Sequence, residues 1–285
     1  QPLGHEADAV EEHRLGVNLI HGAFYRAADP VALLPCLLDD LSPARVEIDM
    51  VRFAGPRFAG VDNRLMSLEL VEQGHTEAAM FLAAGEAVQP GEVLHGRAVL
   101  IERGSFRPVT RVTLDILERA AARFHADLGG PPAPPVAVME MSLRNLLTGD
   151  RLDHADFLAR VDVLGALGAT VMISRSPAHY ALVAALRRAT AQPIAFAMGV
   201  PTLQALFDER YYTDLGGGIL EGLGRLFQAG VTLYGYPHRE PGGQLRTVER
   251  LPVPAAVHPL YRFLCARGRI RPLGASDASP LGILP

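Results

Sequence analysis

The sequence contains no lysine, so all 27 basic residues of the 285-residue chain are arginine. This absence excludes three kinds of chemistry that need a lysine amine: Schiff-base catalysis, pyridoxal phosphate bound through lysine, and a Walker A phosphate loop. Any anionic ligand must therefore be held by arginine, by backbone N–H groups or by a metal ion.

Cysteine and long apolar runs are also scarce. The two cysteines, Cys36 and Cys265, lie in apolar, helix-like stretches, so we expect buried thiols in a reducing cytoplasm and no disulfide. No apolar run approaches the roughly 18 residues of a membrane span. A net charge of −4 argues against a nucleic-acid partner. We expect a cytoplasmic location without membrane or nucleic-acid partners, and the oligomeric state stays open.

The motifs of three enzyme classes are missing as well. The chain has no Gly-x-Ser-x-Gly hydrolase elbow and no cysteine and histidine spacing typical of a zinc site. No Gly-x-Gly-x-x-Gly element follows the first apolar run, which weakens a dinucleotide-binding interpretation.

What the chain does contain is a series of eight short apolar runs, each followed by a helix-like segment. Runs of this length with little alternation are typical of parallel strands covered on both faces. Eight strand–helix units predict a (β/α)₈ barrel-like fold, and the alternative is an open doubly wound parallel sheet. The runs are residues 17–21 and 46–49, Ala78–Phe81, Val99–Arg103, Val136–Ser142, Thr170–Ser174, Ile194–Gly199 and Val231–Tyr236.

The domain organisation follows from the same pattern. Residues 1–14 are polar and acidic, and we interpret them as a lead-in or linker. Residues 15–285 fit one α/β domain. Because the chain does not begin with methionine, we expect this domain to form the C-terminal part of a longer protein.

Several sequence blocks resemble a bacterial protein family whose members carry the labels nicotinate-nucleotide adenylyltransferase or TonB-dependent receptor. The blocks are HGAFYR (21–26), VDNRLM (61–66), ERGSFRPVT (102–110), DFLARVD (156–162) and GGILEGLGRLF (217–227). The first label implies nucleotidyl transfer and a His-x-Gly-His element after the first strand, where this chain has a single histidine. The second label does not fit, because an outer-membrane receptor needs many alternating strands of about ten residues.

Three acidic residues end or lie near the ends of apolar runs, where a parallel fold gathers its active-site residues. Glu102 and Glu140 follow each other through one helix, so we expect them to share one rim. There Asp49, Glu102 and Glu140 could hold Mg²⁺ or Mn²⁺, and the two glutamates could exchange protons. The alternative is that arginines simply pair with them. His21, at the end of the first run, is a further catalytic candidate.

Arginines, hydroxyls and glycines after the runs predict a cradle for an anion. The candidate substrate-binding residues are Arg103, Ser105, Arg107, Ser174, Arg175, Gly217 and Gly218. The sequence thus predicts a cytosolic enzyme that acts on a small anionic metabolite, for example a phosphorylated one. Two alternatives stay open: nucleotidyl transfer of the adenylyltransferase kind, and a non-catalytic ligand-binding or partner-binding domain.

Overall fold

An eight-stranded sheet lies at the centre of the protein. The computed structural model describes residues 3–42, 45–149, 151–228 and 230–274. The strands of the sheet are β1 (Ala78–Phe81), β2 (Ala87–Val88), β3 (Val99–Arg103), β4 (Val136–Ser142), β7 (Thr170–Ser174), β8 (Ile194–Gly199), β9 (Val231–Tyr236) and β12 (Ile270–Pro272). Two small hairpins lie outside it, formed by β5 (Leu147–Thr148) with β6 (Arg151–Leu152) and by β10 (His238–Arg239) with β11 (Leu245–Arg246).

The order of the strands across the sheet is β12-β9-β8-β3-β4-β7-β1-β2. Six neighbouring strands, from β12 to β7, pair in parallel. The hairpin β1–β2 extends the sheet antiparallel to β7. Because β12 and β2 end the order without pairing to each other in the part of the chain that the structure describes, closure into a barrel is not shown. The arrangement is compatible with the open doubly wound alternative.

Eleven helices of the described residues surround the sheet. They are α1 (Leu3–Tyr25), α2 (Pro30–Cys36), α3 (Asn63–Gln73), α4 (Pro90–Leu94), α5 (Arg111–Asp127), α6 (Leu143–Leu146), α7 (His154–Ala166), α8 (His179–Ala189), α9 (Val200–Ala205), α10 (Gly218–Leu226) and α11 (His258–Ala266). Single 3₁₀ turns occur at Pro56–Phe58, Glu209–Tyr212 and Val248–Arg250. No helix among the described residues is long and apolar enough to cross a membrane.

Helices cover both faces of the sheet, because alternate strand residues point to opposite sides. One face, here called the α8 face, packs Ile101 and Phe196 against α8, α9, α10 and α11. On the other, the α5 face, Phe81 packs with Phe157 of α7, and Leu100 packs with residues of α5. The buried core is therefore divided into two layers by the sheet.

Capping residues set several helix boundaries where the sequence indicates them. The Asp29 side chain accepts a hydrogen bond from the Ala32 N–H, and Pro30 is the first residue of α2. The Thr110 side chain caps α5 through the Thr113 N–H. Because α3 ends at Gly74 with φ +81°, a left-handed conformation that glycine adopts without strain, the chain turns sharply there into β1.

Six of the eight predicted strands are confirmed with their bounds unchanged, but one of them, β1, pairs antiparallel to β7 where a parallel strand was predicted. Residues 17–21 were wrongly predicted as a strand. They lie inside the helix α1, which begins at Leu3 and ends at Tyr25. Periodicity does not distinguish strand from helix in so short an apolar run. Val17 and Ile20 are more than half exposed, so no sheet covers them.

A contact with the segment after α2 holds the second half of α1 in place. The Asn18 side chain donates hydrogen bonds to the carbonyls of Leu37 (3.0 Å) and Asp39 (2.8 Å). The Arg14 guanidinium donates to the carbonyl of Asp40 at 2.9 Å. Polar side chains, and not the apolar run, therefore fix this helix against its neighbour.

Residues 46–49 were also wrongly predicted as a strand. They are extended but join no sheet. Two backbone hydrogen bonds connect them to other residues, from Val46 N–H to the Ser42 carbonyl and from Ile48 N–H to the His75 carbonyl, both at 3.0 Å. The Glu47 side chain adds contacts, since it accepts from Thr76 (2.7 Å) and Arg188 (2.8 Å). In contrast, the short strands β2 and β12 were not predicted, because neither carries a recognisable apolar run.

Replacement of Gly165 by alanine tests the contact between α7 and the β1–β2 turn. A Cβ atom at Gly165 would lie 2.5 Å from the carbonyl oxygen of Ala83, closer than van der Waals contact allows. We expect Gly165→Ala to lower the free energy of unfolding by about 1–3 kcal/mol, measured by urea denaturation. Gly224→Ala is the control, because nothing lies within 4 Å of that position and alanine favours a helix by about 0.5–1 kcal/mol. Equal effects of the two changes would contradict the close approach.

Candidate functional site

A buried ion pair lies at the carboxyl edge of the central strands. Arg103 ends β3 and is the register partner of Glu140 on β4. The Glu140 side chain is completely buried, and both of its oxygens accept hydrogen bonds. Arg103 Nε donates to Oε2 at 2.5 Å, Arg103 Nη2 donates to Oε1 at 3.1 Å, and Ser174 Oγ of β7 donates to Oε1 at 2.6 Å. Three neighbouring strands therefore meet at one carboxylate.

Arg103 also connects the sheet to the start of α8. Its Nη2 donates to the Ser176 carbonyl at 3.0 Å, and its Nη1 contacts the Pro177 carbonyl at 3.5 Å. Both carbonyls belong to the loop between β7 and α8. The guanidinium thus holds the residues that lead into α8, and it positions the N-terminal end of that helix.

His179, the first residue of α8, lies within electrostatic reach of Arg103. Its ring is half-buried and packs edge-on against Phe196, with 5.3 Å between the ring centres. Burial, together with the positive charge of Arg103, lowers the pKa of His179 to about 3. At neutral pH the imidazole is therefore uncharged, and it can donate or accept a hydrogen bond.

A cavity of about 340 Å³ opens beside His179 on the α8 face. It is lined by the start of α8, by α9, by the turn Glu209–Tyr212 and by Arg144. The cap residue of α8, Ala178, has no side chain that could bond the first N–H groups of the helix. Arg144 is exposed and forms no ion pair or hydrogen bond with any residue that the structure describes. The cavity thus combines a free helix N-terminus with a free guanidinium.

A larger cavity, of about 720 Å³, lies near the β2 edge of the sheet. Its lining includes Asp62 and Arg64, but Arg64 is already paired with Asp62 at 2.7 Å and with Asp162. Arg52 also lines this cavity, but Glu86 and Glu92 lie there besides Asp62, so acidic side chains outnumber the arginines and the cavity is a weaker candidate for anion binding than the one beside His179.

Glu102 lies on the opposite face of the sheet from Glu140. Its register partners are Met139 on β4 and Ala197 on β8, both of which point to the α5 face. Its side chain is buried, and its Oε2 atom has no hydrogen-bond partner among the described residues. Burial raises the pKa of Glu102 to about 9, so the carboxyl group is uncharged at neutral pH.

The expected sharing of one rim site by Glu102 and Glu140 is therefore contradicted. Both residues lie near the ends of neighbouring strands, as predicted. However, the register partner of Glu140 is Arg103, which is one residue beyond Glu102. A shift of one residue places side chains on opposite faces of a sheet. The alternative interpretation, a carboxylate paired with arginine, describes Glu140.

The three predicted metal ligands do not converge. Asp49 is exposed in the segment beside His75 and accepts a hydrogen bond from Gln89 at 3.2 Å. Glu140 has no free oxygen, and Glu102 points to the other face. Asp49, Glu102 and Glu140 therefore do not form a site for one Mg²⁺ or Mn²⁺ ion in the described structure. The one group of side chains there that could reach a common ion is elsewhere, at Glu69, Glu72 and His154, on the surface where α3 meets α7.

The predicted anion cradle after β3 is occupied by the protein's own charges. Arg107 Nη2 pairs with Asp156 at 2.7 Å, and Asp156 also pairs with the buried Arg160. Arg160 in turn donates to the carbonyl of Ser105 at 2.8 Å. The loop is thus fixed to α7, and Ser105 itself is exposed. Arg103, the other predicted cation of the cradle, is bound to Glu140.

The remaining predicted residues are dispersed. The N–H of Gly217 donates to the Glu221 carboxylate at 2.7 Å, so the glycine loop that includes Gly218 is already bonded to an anion of the chain itself. Arg175 is exposed beside Glu77, 3.9 Å away. His21 is exposed on α1, stacked near Tyr25, and is not at a strand end.

Sequence reasoning missed two residues that the structure brings together, His179 and Arg144. Along the chain they are separated by the hairpin β5–β6, by α7 and by β7, and no motif links them. The sequence offered one local indication for His179. This histidine begins a helix shortly after a strand end, and open α/β sheets bind ligands at that edge. A scan against protein-family models and a search of curated proteins found no match to this chain.

Replacement of Arg103 by glutamine tests the buried pair. The change would leave Glu140 charged and buried without its partner, which typically costs about 3–5 kcal/mol. We expect Arg103→Gln to lower the free energy of unfolding by that amount in urea denaturation. The control is Arg225→Gln, because Arg225 pairs with Glu221 at 2.6 Å but is half exposed, so its loss should cost less than about 1 kcal/mol. Similar losses in both variants would refute the assignment.

The uncharged state of Glu102 predicts a dependence of stability on pH. Its folded-state pKa of about 9 lies above the ordinary value of 4.5, so unfolding releases a proton between these values. The stability of the wild-type protein should therefore fall as the pH rises through this window, by at most about 1.4 kcal/mol per pH unit from this group.

Glu102→Gln should lack this contribution, so its stability relative to the wild type should increase from pH 5 to pH 9. Urea denaturation at several pH values would measure the difference. Glu12→Gln, at an exposed position on α1, should follow the wild-type profile. A constant difference between Glu102→Gln and the wild type would show that Glu102 is charged at neutral pH.

Proposed function

We propose that the protein is an enzyme that acts on a small anionic metabolite bound in the cavity beside His179. The observation that carries the proposal is the meeting of three groups at the carboxyl edge of a mostly parallel sheet: an uncapped helix N-terminus, an arginine without a partner among the described residues, and an uncharged histidine. A volume of about 340 Å³ is within the range of small-molecule sites. We further propose that the sheet is of the open doubly wound type, in which ligands bind at this edge.

The charged side chains of the cavity lining are Arg144, Arg210, which is paired with Asp208, and Asp214. The two arginines outnumber the one carboxylate and favour an anion such as a phosphate or carboxylate group. The first N–H groups of α8 lack internal partners, and the helix dipole places partial positive charge there. Arg144 adds a full charge with a planar array of donors that matches the geometry of these oxyanions. The chain has no lysine, so arginine and backbone N–H groups are the donors expected for this purpose.

His179 is the candidate catalytic residue of the cavity. Because its imidazole is uncharged at neutral pH and its pKa is low, it acts as a hydrogen-bond donor to an oxygen of the ligand and not as a base. Arg103 is a positioning residue, since it holds the loop before His179 and its charge disfavours the imidazolium form. Glu140 acts indirectly, because its ion pair holds Arg103 in place.

Arg144→Ala tests the proposed anion site. Inorganic phosphate, pyrophosphate and citrate serve as probes, with binding to the purified protein followed by calorimetry and by the shift in Tm. We expect at least one probe to bind the wild type and to bind Arg144→Ala at least tenfold more weakly, which corresponds to about 1.4 kcal/mol. The fold should be retained, because Arg144 is exposed.

Arg262→Ala is the matched control, because Arg262 is also exposed and lies outside the cavity. Its affinity for the probe should equal that of the wild type. The proposal fails if none of the three anions binds, or if both arginine variants lose affinity equally. Once a substrate is found, His179→Ala should lower kcat more than it raises KM, because alanine removes the hydrogen-bond donor, whereas His179→Asn, which keeps a donor, should retain more of the activity.

A further inference from the structure

The order of the parallel strands defines a second place at the carboxyl edge. Numbered along the chain from β3, the six parallel strands lie in the order 3-2-1-4-5-6, with β3 first and β8 fourth. In a sheet of this order the connections from β3 and those from β8 leave in opposite directions. In open α/β sheets, ligands bind in the crevice outside the carboxyl ends of the two strands at such a reversal.

Glu102 lies at this point of the sheet. It is the next-to-last residue of β3 and pairs in register with Ala197 of β8. Only 6% of the residue is exposed, and its Oε2 atom is buried without a hydrogen-bond partner among the described residues. Nearly all buried polar groups in proteins are satisfied, so an unpartnered carboxyl oxygen here indicates a group that the protein alone does not supply.

The surroundings of Glu102 indicate which kind of group that is. Its register partners Met139 and Ala197 are buried and apolar, so they offer no charge to an ionic ligand. The loop after β3 contains one glycine, Gly104, in place of the glycine-rich turn that receives a diphosphate. Arg107 of this loop is engaged by Asp156. An uncharged hydrogen-bonding group fits these surroundings better than an anion.

We infer that the crevice between the ends of β3 and β8 binds an uncharged heterocycle or amide, of the kind found in nucleosides, through a hydrogen bond donated by the Glu102 carboxyl group to a ring nitrogen or carbonyl oxygen. Glu102 is uncharged here because its environment is apolar, and a protonated carboxyl group is a donor. This site lies on the α5 face, so it does not depend on the anion site proposed beside His179.

Binding of adenosine, uridine and nicotinamide, measured by calorimetry at pH 7, tests this inference. We expect saturable binding of at least one probe to the wild-type protein. Glu102→Leu, which keeps a similar volume in apolar surroundings, should bind that probe at least tenfold more weakly. Glu102→Gln should bind within about threefold of the wild type, because its amide N–H₂ group can replace the donor. Glu12→Gln, at an exposed site, should bind like the wild type.

A second measurement covers the case in which Glu102→Leu is poorly folded. Binding to the wild type should weaken as the pH rises above about 9, because the carboxylate can no longer donate, whereas binding to Glu102→Gln should not. The inference is overturned if none of the three probes binds the wild type, or if a folded Glu102→Leu binds as well as the wild type. Arg144→Ala should leave this binding unchanged, so the two proposals can fail separately.

Discussion

The buried pair of Arg103 and Glu140 is the interaction on which the arrangement of the carboxyl edge depends. A charge with no exposure to water is tolerated only when all of its hydrogen-bonding positions are filled. Here they are filled from β3 and β7, and the remaining donors of the guanidinium reach the loop before α8. One ion pair therefore joins three strands to the helix that carries His179, and any movement of β3 would be transmitted to the candidate cavity.

The sheet separates two glutamates that look equivalent in the sequence. Glu140 meets Arg103 on the α8 face, whereas Glu102 meets Met139 and Ala197 on the α5 face. The first carboxylate has a cation and a hydroxyl beside it, and the second has neither. The same residue type therefore serves as a structural anion on one side and as an uncharged acid on the other, because the neighbours that solvate it differ.

The sequence predictions are accurate where the structure depends on interactions between residues that are close in the chain. Strands such as Val136–Ser142 were predicted with their bounds unchanged, because a continuous apolar run between polar loops is typical of a buried parallel strand. Caps such as Thr110 and Gly74 are likewise local, since each acts within its own helix. The prediction failed at residues 17–21, where a short apolar run lies on a helix whose apolar side chains are largely exposed.

The sequence by itself determined the α/β class, six strands of the sheet and the exclusion of lysine chemistry. Only the tertiary structure decided the order of the strands, the face to which each side chain points, and the partner of each charge. These depend on register and on pairings between distant residues, such as Arg103 with Ser176 or Arg107 with Asp156. A one-residue difference in register reverses the face of a side chain, and neither composition nor spacing along the chain records it.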